Sequence, residues 1–230
     1  MRDKVEYLYG EDQRNILSSC LESVVYREYY ARFHYQEAKQ LVFDFLSTRN
    51  DFSSLAPLVF GGTGEDQIEF RKRCVFAEAH VISCLQSIHS LYDIMSHVIY
   101  YSLGMNKKSE CMIRENMIGI KSVYKKLVFL KMHKKISDEI YSTINNDNFN
   151  YLSAIVNHSK HRSIINLCFT VDIGDPEKDL YEFNFNSFVY SGVSYLPRSA
   201  FVFIDEEYER CSKQINSIGR SLNYILRCDL

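Results

Sequence analysis

Residues 74–106, CVFAEAHVISCLQSIHSLYDIMSHVIYYSLGMN, contain no Lys or Arg, and Glu78 and Asp93 are their only acids. Val81, Leu85, Ile88, Tyr92, Met95 and Ile99 recur at three- and four-residue intervals, the a/d spacing of a helix buried along one seam. The remaining faces are also largely apolar, so the run reads as the central helix of a bundle, spanning about 66–103. A membrane span competes, because the segment is long and poor in charge. It loses because Gln86, His89, Asp93 and His97 sit in its middle, each costly in hydrocarbon.

Outward from this helix, helical periodicity covers about 15–48, where Tyr26, Tyr29, Tyr30, Phe33 and Tyr35 thicken the middle, and about 109–144, with a break near His133. A short helix is expected at about 149–159 and a final one at about 205–228, carrying the stripe Ile204, Tyr208, Cys211, Ile215, Ile218, Leu222 and Ile225. The stretch 49–64 reads as a loop. Its Gly61-Gly62-Thr63-Gly64 run lacks the Gly-Lys-Ser/Thr ending of a phosphate loop, and Glu65 and Asp66 would repel phosphate. Between the last two helices the texture turns β-rich. Residues 163–173 and the period-two run 181–190 read as strands, Asp175-Pro176 as the turn between them, and 189–195 as a tight hairpin. The expected fold is mainly α: a bundle of four to five helices, with a small antiparallel β insertion (about 163–196) before the last helix. One domain is expected over 1–230.

Composition agrees. With 230 residues, 46% hydrophobic and 14% aromatic, the chain can bury a core and is not disordered. Three prolines and nine glycines are too few for an all-β sandwich. A net charge of -2 gives no overall pull toward nucleic acid or membrane. Seven cysteines with no C-x-x-C spacing argue against a zinc knuckle and fit a reducing cytoplasm, where they act as small buried apolar residues. Residues 1–10 have no apolar core, so no signal peptide is expected.

Four features could carry chemistry. Gln86, His89, Asp93 and His97 form one stripe opposite the seam. It reads as a satisfied polar seam, a pocket wall, or a His/Asp/His metal site lacking a fourth nearby ligand. Asp93 is expected to be more than half buried and bonded to a histidine, Arg162 or Lys160. The second feature is Asn157-His158-Ser159-Lys160-His161-Arg162, where the short helix gives way to the first strand. Part of it suits a helix C-cap. Two imidazoles beside an ammonium and a guanidinium also suit phosphate binding or metal-free phosphate chemistry. His158, Lys160, His161 and Arg162 are expected to line an anion pocket between the sheet and the second helix. The third is a run of nine Lys or Arg over 107–135, opposed only by Glu110 and Glu115, which is either a solvated face or a footprint for RNA. The fourth is a pair of Arg-x6-His spacings, Arg27 to His34 and Arg73 to His80, at a frequency chance allows.

Residues 79–94, 157–162, the hairpin near 188–195, Glu206-Glu207-Tyr208 and 218–223 together resemble a largely uncharacterised bacterial family of the HEPN superfamily (higher-eukaryote and prokaryote nucleotide-binding domains), over about 70–228. The resemblance implies an all-helical, RNA-associated module, often dimeric, whose active members are metal-independent ribonucleases with an Arg-x4-6-His motif. This sequence departs from that pattern, because its matching spacings lie on early helices. Two functions therefore stand side by side. One is RNA cleavage by 2′-OH attack, with His158 or His161 as base and acid, Arg162 and Lys160 stabilising the phosphorane, and Gln86, His89, Asp93 and Asn157 in the pocket. The other is a non-catalytic interaction module. Neither needs a metal or cofactor. RNA or a nucleotide and a second copy of the chain are the expected partners, the latter because the central helix is apolar on more sides than one seam requires.

Overall fold

The computed structural model describes residues 1–49, 51–61, 63–171 and 180–228. They form α1 (Arg2–Tyr9), α2 (Glu11–Leu46), α3 (Phe52–Phe60), α4 (Glu65–Ser102), α5 (Ile120–Phe129), α6 (Lys134–Ile144), α7 (Asp147–His161), β1 (Leu167–Val171), β2 (Tyr181–Phe185), β3 (Phe188–Tyr190), β4 (Val193–Tyr195), β5 (Arg198–Ser199) and α8 (Ala200–Cys228). The protein is mainly helical with a small antiparallel sheet before its last helix, as expected, but it has eight helices among the described residues rather than four to five. No helix among them is long and apolar enough to cross a membrane.

The extra helices have local causes. The stretch that reads as a loop contains α3, opened by Asp51, whose side chain accepts from the Ser54 N–H at 2.9 Å. Such a cap satisfies one of the donors a helix start leaves unpaired. Pro57, which in sequence argues against a helix, lies inside α3. The expected helix over 109–144 is instead a series of 3₁₀ turns followed by α5 and α6, separated where Lys131 and His133 take left-handed conformations. A break near His133 is therefore present. The nine-cation run is spread over these elements and forms no single helical face. Lys126 donates to the Glu110 carbonyl at 2.8 Å, and Lys134 pairs with Asp138 at 2.6 Å.

In the sheet, β2 pairs antiparallel with β1, Phe183 opposite Phe169, and with β5, Phe185 opposite Arg198. Strands β3 and β4 form a separate hairpin around Ser191-Gly192. Both turn residues have positive φ, 51° and 80°, the twist a two-residue hairpin demands. The expected turn at Asp175-Pro176 lies outside the described residues.

The chain divides into two units: residues 1–29, 87–150 and 207–230, and residues 30–86 and 151–206. In the first, Leu17, Ile88, Leu91, Val123, Leu127 and Leu222 are fully buried. Within this core Glu207, 0% exposed, takes a two-pronged bond from Arg210 (2.8 and 2.6 Å), and Tyr92 joins both, accepting from Arg210 at 2.8 Å and donating to Glu207 at 3.1 Å. Burial drives the Tyr92 phenol far above its ordinary pKa. Gln13 and Asn106 also exchange amide bonds at 2.8 and 2.9 Å. In the second unit, Tyr151 is ringed by Phe203, Phe188, Tyr195 and Phe185 at 4.9–6.3 Å, which fastens the hairpin to α7 and the start of α8. All six seam positions of α4 are buried within one chain. Cys84, Cys111 and Cys211 are buried as expected, whereas Cys168 and Cys228 are exposed.

Candidate functional site

The basic cluster ends α7. Backbone N–H groups of Arg162 and Ser163 both return to the His158 carbonyl, at 2.9 and 3.2 Å, and close the helix. His158 Nδ1 lies 2.7 Å from the Ser163 carbonyl oxygen, so it carries a proton and donates, and in the neutral ring Nε2 then holds the lone pair. The ring meets Phe188 and Tyr190 edge-on at 5.7 and 6.4 Å. Arg162 stands 5.0 Å over the Tyr190 ring. Lys160, His161 and Arg162 are exposed, while Asn157 is turned back onto the Ser153 carbonyl at 2.8 Å and serves its own helix. The cluster is thus both a helix end and an open cationic surface on an aromatic hairpin.

The α4 stripe differs from expectation. The Asp93 side chain is 56% exposed and stands 3.7 Å from His89 Nδ1. The expected carboxylate is more than half buried and bonded to a histidine, Arg162 or Lys160; the burial is corrected, and a histidine, His89, is the expected partner that stands at ion-pair distance. A Cβ added to Gly119, the N-cap of α5, would lie 3.9 Å from Asp93 Oδ1, so the carboxylate stands by the N-terminus of α5, where the helix dipole favours negative charge. His97 stacks on Tyr101 at 6.1 Å, and burial holds its pKa below the ordinary value despite Asp93 and Glu115. Gln86 is half-buried. Among the described residues no group of three or more His, Cys, Asp or Glu is placed to hold a metal ion.

The structure brings together two residues that in sequence only the Arg-x6-His spacings mark. His34 on α2 and His80 on α4 face each other with their Nδ1 atoms 3.0 Å apart and ring centres 5.2 Å apart. Phe33, itself exposed, is edge-on to both rings at 5.2 and 6.1 Å. Both imidazoles are half-buried. The contact requires one ring to donate its Nδ1–H to the lone pair of the other. When both rings are neutral they therefore hold opposite tautomers, one with a bare Nε2 and the other with Nε2–H. Burial and then His80 lower the pKa of His34, with Glu37 opposing. The arginine spaced to His80 is engaged elsewhere: Arg73 bonds Glu69 at 2.8 Å and the Leu41 carbonyl at 3.3 Å. Glu78, two residues before His80, accepts from the Leu167 N–H at 2.8 Å and from Asn166 at 3.4 Å. It thereby ties the chain leaving the basic cluster to α4. Arg162 is four residues before Asn166, at most about 14 Å of extended chain.

A stability test follows. His34 takes a proton less readily folded than unfolded, so its contribution is full above the unfolded value near 6.5 and is lost as pH falls below it. His97 acts with the same sign. The melting temperature should be level above about pH 7 and fall as the pH drops below about 6.5, with a shallower fall in His34→Gln. Identical profiles for the two proteins would contradict it.

Comparison with known proteins adds no relative: no family model, curated protein or solved structure matches this chain.

Proposed function

We propose that the chain is an RNA- or nucleotide-associated protein that cleaves RNA by 2′-OH attack without a metal. The observation that carries this reading is the His34–His80 pair, which offers a base and an acid side by side. The bare Nε2 of one ring takes the 2′-OH proton as that oxygen attacks phosphorus. The Nε2–H of the other ring gives its proton to the departing 5′ oxygen. Passing the Nδ1 proton from the first ring to the second keeps both neutral, so neither becomes an imidazolate. The products are a 2′,3′-cyclic phosphate and a 5′-hydroxyl end, with the tautomers of the pair exchanged.

In this reading His158, Lys160, His161 and Arg162 hold the strand. Lys160 and Arg162 meet phosphates, and Tyr190 beneath Arg162 offers a ring for a base. The engagement of Arg73 by Glu69 and Leu41 favours a second reading, a module that binds without cutting, because it removes one cation that would stabilise the phosphorane. Incubating the protein with end-labelled single-stranded RNA in the presence of EDTA decides between them. Cyclic-phosphate products are expected. Binding without product supports the second reading, and neither product nor binding overturns both.

A further inference from the structure

Within the unit formed by residues 1–29, 87–150 and 207–230, α5 and α6 pack on each other as a helical hairpin, with Tyr124 against Tyr141 at 6.0 Å. Its tip, residues 128–133, reads VFLKMH, where a turn ordinarily carries Gly, Asn, Asp or Ser. Val128 and Phe129 are 48% and 79% exposed, and Leu130 and Met132 beside them are half-buried. The backbone of the tip is tied down. The Met132 N–H returns to the Leu127 carbonyl at 2.9 Å and the Lys131 N–H to the Val128 carbonyl at 3.1 Å, which closes α5 as a Schellman motif. The left-handed position of that motif usually belongs to glycine, and here Lys131 takes it, with φ 52°. The tip therefore holds an exposed phenyl ring and a lysine on a fixed frame.

The charges around it have one sign. Residues 120–138 carry six lysines and a single acid, Asp138, an excess that the net charge of -2 conceals. Lys134 is spent on Asp138 at 2.6 Å, and Lys126 on the Glu110 carbonyl at 2.8 Å. Lys121, Lys125, Lys131 and Lys135 are exposed and enter no ion pair among the described residues. Lys121, Lys125 and Val128, spaced four and three, share one face of α5. An apolar apex inside a cationic rim is complementary to a surface that is anionic outside and apolar beneath. RNA would satisfy the lysines and the Phe129 ring, but Val128 has no flat face on which a base could stack. Acyl chains accept aliphatic and aromatic side chains alike.

We propose that the α5–α6 tip docks on an anionic lipid surface. Val128 and Phe129 enter the boundary between head groups and acyl chains, and Lys125, Lys131 and Lys135, all within six residues of Phe129, meet the head groups. Lys121, about 12 Å further up α5, adds to the attraction. The attachment is peripheral and needs no spanning helix. It is independent of the proposed chemistry, since the His34–His80 pair and the cluster at 157–162 belong to the other unit.

Cosedimentation of the full chain with vesicles tests it. Binding is expected to vesicles of phosphatidylcholine containing about 30% phosphatidylserine and not to phosphatidylcholine alone, and it should weaken as salt is raised. Phe129→Ser should weaken binding by about fivefold or more with the melting temperature unchanged, because the ring is exposed. Lys125→Glu combined with Lys131→Glu should weaken it by about tenfold or more. The chain has no tryptophan, so Phe129→Trp places a single reporter at the tip, and its emission should shift to the blue when the mixed vesicles are added. Failure to cosediment with the mixed vesicles overturns the proposal, as does equal binding to both kinds of vesicle. Unweakened binding by Phe129→Ser, or an unmoved Phe129→Trp emission, removes the apolar insertion and overturns it too. A chain that ignores vesicles but binds single-stranded RNA, and loses that binding on Phe129→Ser, assigns the tip to RNA and overturns it. A markedly lower melting temperature for Phe129→Ser would mean that the fold itself uses the ring, and would overturn it as well.

Discussion

Arg210→Met is expected to lower the stability of the fold by about 3–5 kcal/mol, the cost of removing one member of a buried ion pair. Glu207 is fully enclosed, and its carboxylate receives both prongs of the Arg210 guanidinium together with the Tyr92 hydroxyl. Without Arg210 the charge keeps one hydroxyl donor and no solvent. Burial alone would favour loss of the Arg210 proton, yet its pKa is raised, because the bond to Glu207 and the proximity of Tyr92 outweigh desolvation. Glu207→Gln should cost less, about 1–3 kcal/mol, since an amide can still accept from the guanidinium and the exposed edge of Arg210 reaches water. Arg210→Met with Glu207→Leu should recover most of the loss, because an apolar pair of similar volume leaves no buried charge. Urea unfolding of the three variants measures this. An Arg210→Met protein within about 1 kcal/mol of wild type would show that the pair does not lock this core.

The same pair shows where sequence reading stops. Glu207 and Arg210 are three residues apart on a helix, the spacing of an ordinary surface pair, and in sequence Glu207 is one of several acids between 205 and 209. In the fold it is fully buried and meets the hydroxyl of Tyr92, 115 residues away in the chain. Long-period features are legible: the seam of α4, the stripe of α8 and the Ser191-Gly192 hairpin each repeat a local signal. Pro57 hides α3, and apolar spacing that survives a change from one helix to several turns hides the breaks within 109–144. For the site, the basic cluster is visible because its residues are adjacent. His34 and His80 are visible only as members of two common spacings. Their meeting depends on how α2 and α4 are set against each other, 46 residues apart, which no local pattern encodes.

That meeting carries the second large effect. His34→Ala and His80→Ala are each expected to reduce the rate of RNA cleavage by about 10²–10⁴, the usual contribution of a positioned general acid or base. The double variant should be little worse than either single one. The relay needs both rings, so removing one already stops it, and residues that act as a unit do not add. Stability should barely change. Both imidazoles are half-buried and their mutual bond is a single neutral one, worth about 1 kcal/mol. Lys160→Ala and Arg162→Ala should instead raise KM and leave kcat nearly intact, since in the proposed reading they hold the strand and do not move its protons. The division is what matters: kcat falls when the pair is broken, and KM rises when the cluster is. If cutting is lost on altering His158 or His161 and kept on altering His34 and His80, the chemistry belongs to the cluster. His158 Nε2, whose lone pair is fixed by the Nδ1–H bond to Ser163, then takes the part of the base.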